Sequence, residues 1–202
     1  MTQVLTVSCK LKASQSQAAK LDATMEAFGQ ALNWVNQNTP EKVANAVKLQ
    51  SLCYREIRAR FGLSSNLAQQ ICRRVASARK VAQQKNRPVK AFKGGFATYD
   101  ARIFSFREKD WTVSLTTVEG RERFGLAIGR YQRERLAGSN PKSATLVKRK
   151  DGSYSIQICV VFRSVWKRSH PHRNARAECW GWTWGGRILP IRQTGTIGMD
   201  SS

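Results

Sequence analysis

Hydrophobic positions along the chain open with a period of two. From Thr2 to Lys12, Leu5, Val7, Cys9 and Leu11 alternate with Val4, Thr6, Ser8 and Lys10, which predicts a strand of about nine residues with one apolar face. At Ser14 the period lengthens. Leu21, Met25, Phe28, Leu32 and Val35 fall on a single stripe of a long amphipathic helix. Thr39-Pro40-Glu41 then reads as an N-cap, a proline at the first helical position and an early acid. It opens a second helix that carries Val43, Val47, Leu49, Leu52 and Ile57 toward Phe61 and stops at Gly62. A third helix starts after Ser64-Ser65, turns Leu67, Ile71, Val75 and Ala78 inward, and ends before Arg87-Pro88.

Past Lys93-Gly94-Gly95 the period returns to two. Short strands are predicted at Ile103, Phe104 and Phe106, at Trp111, Val113 and Leu115, and at Phe124, Leu126 and Ile128. Tyr131 to Leu136 reads as a basic helical turn bounded by Gly138 and Pro141. Two further strands, Ala144 to Lys148 and Tyr154 to Phe162, are joined through Asp151-Gly152, a strong hairpin signal. The order is one strand, a bundle of three helices, then about five strands, so the orphan first strand most simply completes the later sheet. The expected fold is α+β, an antiparallel β-barrel interrupted by a helical bundle insertion, with the early strand covering an exposed edge. The segments are 1–13 (first barrel strand), 14–93 (helical insertion), 94–162 (remainder of the barrel) and 163–202 (an irregular tail).

Charge narrows the partner. Lys and Arg number 35 against 13 Asp and Glu, a formal +22, which calls for a polyanion. Arg73, Arg74, Arg79 and Lys80 lie within two turns of the third helix, and Arg55 and Arg58 stand three apart on the second, so neighbouring helices are expected to show guanidinium groups on one side. An ordinary solvated face would carry balancing acids, but residues 51–100 hold eleven Lys and Arg and only Glu56 and Asp100. No run approaches the roughly 18 apolar residues of a membrane span, and no leader pattern opens the chain. The expectation is a soluble cytoplasmic, nucleoid-associated protein with no membrane partner.

Catalytic chemistry finds little support. Cysteines 9, 53, 72, 159 and 179 form no CxxC pair and are expected to be reduced. His170 and His172 between Cys159 and Cys179 have no usual zinc-ligand spacing. Glu108, Asp110, Glu119 and Glu122 read as solvated turn acids, and there is no Walker-type loop. No catalytic residue, metal, cofactor or small-molecule substrate is expected. Tyr54, Tyr99 and Trp111 suit either stacking on bases or, more commonly, core packing.

The tail has no period and holds Cys179-Trp180-Gly181-Trp182-Thr183-Trp184-Gly185. Tryptophan has one codon, so the reading frame that starts at the third base of the Glu178 codon is nearly fixed: Met or Val, Leu, Gly, an aliphatic, Asp, an aliphatic, Gly. An apolar strand ending in Asp and a Gly turn is how a Mg²⁺-dependent nuclease presents a carboxylate. This points to a change of frame between about Phe162 and Ala177. The other reading is a selected tail whose aromatics, interleaved with Arg, stack on bases.

Tyr54-Arg55-x-x-Arg58, Phe61-Gly62-Leu63, Tyr99-Asp100 and Arg102-x-Phe104-Ser105-Phe106 occur in that order. They are followed by the run from Thr112 to Arg121, by Tyr131-Gln132-Arg133 and by Lys142 to Val147. Over most of residues 2 to 162 this resembles TnpB-type (OrfB) transposon proteins, a family similar to the compact type V CRISPR effectors. The resemblance implies a wedge-type barrel split by a helical recognition lobe, followed in the family by a RuvC-like nuclease with a zinc ribbon, the whole reading a guide RNA and cutting DNA. Here it implies a truncated relative without the nuclease. Guide RNA and/or DNA would lie on Arg55, Arg58, Arg73, Arg74 and Lys80 of the lobe and on Arg102, Arg121, Arg123, Arg130, Arg133 and Arg135 of the barrel. A short regulator of a full-length relative and a product without function remain alternatives. A chain without its nuclease would also expose normally covered surface and be marginally soluble.

Overall fold

The first strand takes the centre of a sheet. In a computed structural model that describes residues 2–163, β1 (Thr2–Lys12) lies between β7 (Tyr154–Arg163) and β5 (Gly120–Ala127), antiparallel to both. The complete order is β2-β6-β7-β1-β5-β4-β3, where β2 is Phe96–Asp100, β3 Phe104–Arg107, β4 Thr112–Thr117 and β6 Ser143–Lys148. The tail with its tryptophan run and histidines lies outside the described residues, and so does the expected change of frame.

As expected, the early strand completes the later sheet, and it covers β7 on one side and the end of β5 on the other. β1 is the longest strand, and its apolar face (Val7, Cys9, Leu11) is buried. The edges fall instead to β2 and β3, the shortest strands, which limits the unpaired backbone on show. β2 was not expected at all. Its alternation is carried by Ala97 and Tyr99, and Ala97 is too small to announce it.

The two edge strands are consecutive in sequence, joined only by Ala101–Ile103, although they end opposite sides of a seven-stranded order. A three-residue link spans at most about 10–14 Å, so the sheet curls round on itself. β1 supports the curl by staggered pairing: Thr2–Lys10 pairs with β7, and only Lys10–Lys12 with β5. The result is a curled antiparallel half-barrel whose edges do not pair with each other. The Asp151-Gly152 hairpin forms as expected, with Gly152 at φ 78° and β6 and β7 in register from Lys148↔Tyr154.

Ser14 starts α1 (Gln15–Asn38) through a capping box with Gln17. The stripe Leu21, Met25, Phe28, Leu32 and Val35 is wholly buried in a core cluster shared with the sheet. Polar contacts fix the helix to strands on both flanks: Lys20 to Glu122 of β5, and Asp22 to Lys148 of β6 at 2.8 Å. Thr24 Oγ1 accepts the Val118 N–H, and Asn33 exchanges two hydrogen bonds with the Phe92 backbone.

The Thr39-Pro40 signal ends a helix where it was expected to begin one. Thr39 is extended, as a residue before proline must be, and is the C-cap of α1. α2 (Ala46–Phe61) starts later, its N-cap Asn45 accepting from Val47 and Lys48. Leu49, Cys53 and Ile57 form its buried stripe, whereas Val47 and Leu52, expected inside, are 74% and 57% exposed. Gly62 closes α2 at φ 61°. α3 (Ser65–Gln84) buries Leu67, Ile71 and Val75 as expected, but Arg79 takes the inward place given to Ala78. A short α4 (Arg130–Leu136) precedes β6.

Arg79 is 1% exposed and forms no salt bridge among the described residues. It donates to the carbonyls of Asn36, Thr39, Pro40 and Val43 and to Thr39 Oγ1, at 2.8–3.1 Å. These include unpaired carbonyls at the negative end of α1, so one guanidinium satisfies acceptors that Pro40 leaves stranded and complements the helix dipole. Burial pulls its pKa down, yet a guanidinium stays protonated. Arg79→Ala is expected to cost on the order of 3 kcal/mol, because it strands several buried acceptors together. Arg79→Lys should recover less than half, since one ammonium cannot fork to acceptors on both sides. Urea unfolding checks both, and an Arg79→Ala protein as stable as the parent would refute the cap.

Candidate nucleic-acid interface

All eleven basic residues expected to meet nucleic acid are exposed. They do not form one face. α2 meets α3 through Cys53 and Cys72, whose sulfurs are 3.8 Å apart. At 100° per residue, Arg73 and Arg74 turn away from that contact and toward β2. Arg55 and Arg58 stay on the outer side of α2, where the Arg58 guanidinium lies 5.9 Å from the Tyr54 ring centroid. The shared guanidinium surface expected for the two helices is therefore split. Arg79, counted with that surface, is internal.

Arg73 and Arg74 border a cleft of about 420 Å³ between α3 and the polar face of β2, β6 and β7. Arg73 lies 3.9 Å from Asp100, a carboxylate already held by Gln70 at 2.7 Å. Arg74 packs 5.5 Å over the Phe96 ring. Lys80 projects from α3 with no acidic partner among the described residues.

On the other half of the sheet, Arg121 is pinned across β4 and β3, its Nε donating to Ser114 Oγ at 2.9 Å and Nη2 to Ser105 Oγ at 3.0 Å. Hydroxyls position it without neutralising it. Arg123, Thr112 and Arg107 complete the lining of a depression of about 380 Å³. Arg107 was not anticipated, although strand alternation puts it on the same face as Ser105. Its charge is partly met by Asp110 at 3.6 Å. Arg102 sits beside this area in the β2–β3 turn, its carbonyl accepting weakly from Arg121.

α4 contributes less. Arg130 is committed to Glu134 at 2.8 Å, while Arg133 and Arg135 lie 5.9 and 5.5 Å over Trp111 and Tyr131. Trp111 is half-buried at φ 51°, beside a depression of about 590 Å³ that Lys12 also lines. Of the three aromatics considered for stacking, Tyr99 is 1% exposed and belongs to the core, where burial pushes its phenol pKa up. Tyr54 and Trp111 are half-buried and cation-capped.

Most of the acids act singly. Glu122, expected as a solvated turn acid, instead sits in β5 and pairs with Lys20. The Lys20 hydrogen bond holds the Glu122 carboxyl below its ordinary range and raises the Lys20 pKa. Glu108 accepts from the Gly138 N–H at 2.9 Å. Among the described residues no three His, Cys, Asp or Glu side chains converge as a metal-holding group. No helix among them is long and apolar enough to cross a membrane. The four described cysteines are free thiols, with Cys9 pushed up to about 11 by burial.

No protein-family model matches the chain, and no curated protein matches it.

The Lys20–Glu122 pair gives a pH test of how α1 is held. Because the folded Glu122 pKa is depressed, its contribution is present above the unfolded carboxylate value and lost as pH falls through the folded one. The raised Lys20 pKa keeps its contribution until strongly alkaline pH. Glu122→Gln should lower the thermal midpoint at neutral pH, and the difference from the parent should vanish in acid. An equal deficit at both would mean that packing, not charge, holds the contact.

Proposed function

We propose that this protein binds nucleic acid by its phosphate backbone and does not cut it, in the manner of a TnpB-type relative that keeps a wedge-type barrel with an inserted helical lobe. The observation that carries the reading is a set of exposed cations without counter-charges. Arg121 and Arg123 line a hydroxyl-rich depression without an acidic partner among the described residues, and no acid occurs between Glu56 and Asp100. A surface charged only for solubility mixes signs. Uncompensated guanidinium groups beside hydroxyls suit phosphate oxygens, to which Arg offers a planar fork and Ser or Thr a hydrogen.

Sequence would then be read by base pairing within a bound guide RNA, the protein gripping shape and charge. Binding without cleavage is supported by how several of the carboxylates are used: Asp22, Glu56, Glu122 and Glu134 each hold a Lys or Arg of the fold. A two-metal cut needs carboxylates converging on ions about 4 Å apart.

If six to ten phosphates are neutralised, affinity for structured RNA should fall by roughly 10³ to 10⁵ between about 50 and 200 mM salt. Gel-shift titrations over that range check it, and salt-independent association overturns it. Guide-loaded protein incubated with Mg²⁺ and target DNA should leave the DNA intact. Cleavage that depends on the metal and the guide would refute binding alone.

A further inference from the structure

The groove between α3 and the segment that follows it differs from the other basic depressions in what lies beneath the charge. Its volume is about 480 Å³, within the range of roughly 300 to 1,000 Å³ usual for ligand pockets. The floor is apolar: Ala78, Val81 and Ala82 come from α3, Val89 and Phe92 from the following segment. Val81 is 49% exposed, a large aliphatic side chain that the fold leaves uncovered. The rim is cationic. Arg74, Lys85, Arg87 and Lys90 border the groove, none of them has an acidic partner among the described residues, and no acid lines it. Lys85, Arg87 and Lys90 were not among the residues expected to bind anything.

Both walls are held by hydrogen bonds of the fold. At the end of α3 the Lys85 N–H meets the Val81 carbonyl at 3.1 Å, and the Arg87 N–H returns to the Ala82 carbonyl at 3.0 Å. Phe92 is tied to α1 by Asn33, whose side chain accepts the Phe92 N–H at 2.7 Å and donates to the Phe92 carbonyl at 3.0 Å. A groove fixed at both ends needs little reorganisation to take an occupant.

We infer that this groove docks an acidic, amphipathic segment of a partner protein, with apolar side chains on Val81 and Phe92 and carboxylates on the rim. An apolar floor inside a charged rim is the anatomy of a protein–protein contact. A nucleic-acid backbone is polar and charged throughout and gains little from aliphatic side chains; the hydroxyl-lined depression around Arg121 suits it better. An anionic lipid carries its charge at one head, whereas four cations from two segments match several carboxylates in a row. Charge also excludes the chain itself as occupant. Its formal charge is +22, and residues 164–202 hold six Lys and Arg against Glu178 and Asp200, so a second copy and the tail both meet repulsion.

The test is fluorescence anisotropy with the full chain and a labelled synthetic peptide that has Leu at i, i+3, i+4 and i+7 and Glu elsewhere. A peptide of equal charge with Ala in place of Leu is the comparison. The Leu peptide is expected to bind at least about tenfold more tightly, since only it fills the floor. Lys85→Ala with Lys90→Ala should weaken it about tenfold. Val81→Asn, which keeps every charge, should weaken the peptide several-fold and leave affinity for an oligouridylate unchanged. Arg121→Ala with Arg123→Ala should leave the peptide affinity as it is. Circular dichroism checks the folding of each variant.

Equal affinity for the two peptides, or parental affinity in both groove variants, overturns the docking site. An oligouridylate that displaces the peptide and is itself weakened by Lys85→Ala with Lys90→Ala reassigns the groove to nucleic acid. RNA binding without peptide binding overturns the groove alone. Peptide binding without RNA binding leaves the groove standing and overturns the proposed grip on phosphate.

Discussion

Backbone groups on both sides of β1 are paired with strands from the far part of the chain, β7 along most of its length and β5 at its end. Much else follows from that constraint. Strands on both sides meet only at Lys10, so the later strands build outward in two directions, β7 from most of the length of β1 and β5 from its C-terminal end. The chain turns at the end of β1 directly into the Ser14 cap, so α1 starts against the middle of the sheet and is clamped to β5 and β6 by Lys20 and Asp22. The stripe on α1 then fills the hollow of the curled sheet, and one core cluster covers strands and helices alike. Long-range pairing of this kind carries a loop-closure cost, which the burial of a shared core offsets.

The helices are locked to one another by a buried cation. Arg79 has no salt-bridge partner among the described residues, and desolvating a charge is unfavourable unless hydrogen bonds replace its water. Carbonyls gathered where α1 ends at Pro40 provide them. The neighbouring contact is a pair of thiols, Cys53 and Cys72. The Cys72 thiol is kept protonated by the adjacent sulfur and by burial. One basic residue in a very basic chain thus has a structural task, and net charge alone does not separate it from the rest.

Outside the core the cations divide by company. Arg60, Arg107 and Arg130 have acids within reach, and Arg73 shares one with Gln70. Arg121 is positioned by hydroxyls, Arg74 by an aromatic ring. The second group keeps its full charge and a defined direction, so a polyanion meets it without first breaking an ion pair.

Local pattern alone determined the elements: the period-two face of β1, the stripe of α1, Gly62 as a helix stop and the Asp151-Gly152 turn are written in neighbouring residues, because dihedral preference and repeat are local properties. Where a signal had two local meanings the sequence was ambiguous. Thr39-Pro40 suits a helix start as well as a stop, and in the structure it is a stop whose carbonyls Arg79 captures. Ala97 was too small to mark β2, and Arg79 was grouped with exposed arginines because its partners lie about 40 residues away in sequence. The sequence determined that the chain is cationic and which stretches are acid-free. Tertiary structure decided that β1 is central, that Arg55 and Arg58 are parted from Arg73 and Arg74, and that Arg74 borders two separate depressions, since strand partners and side-chain neighbours depend on which distant segments fold against each other.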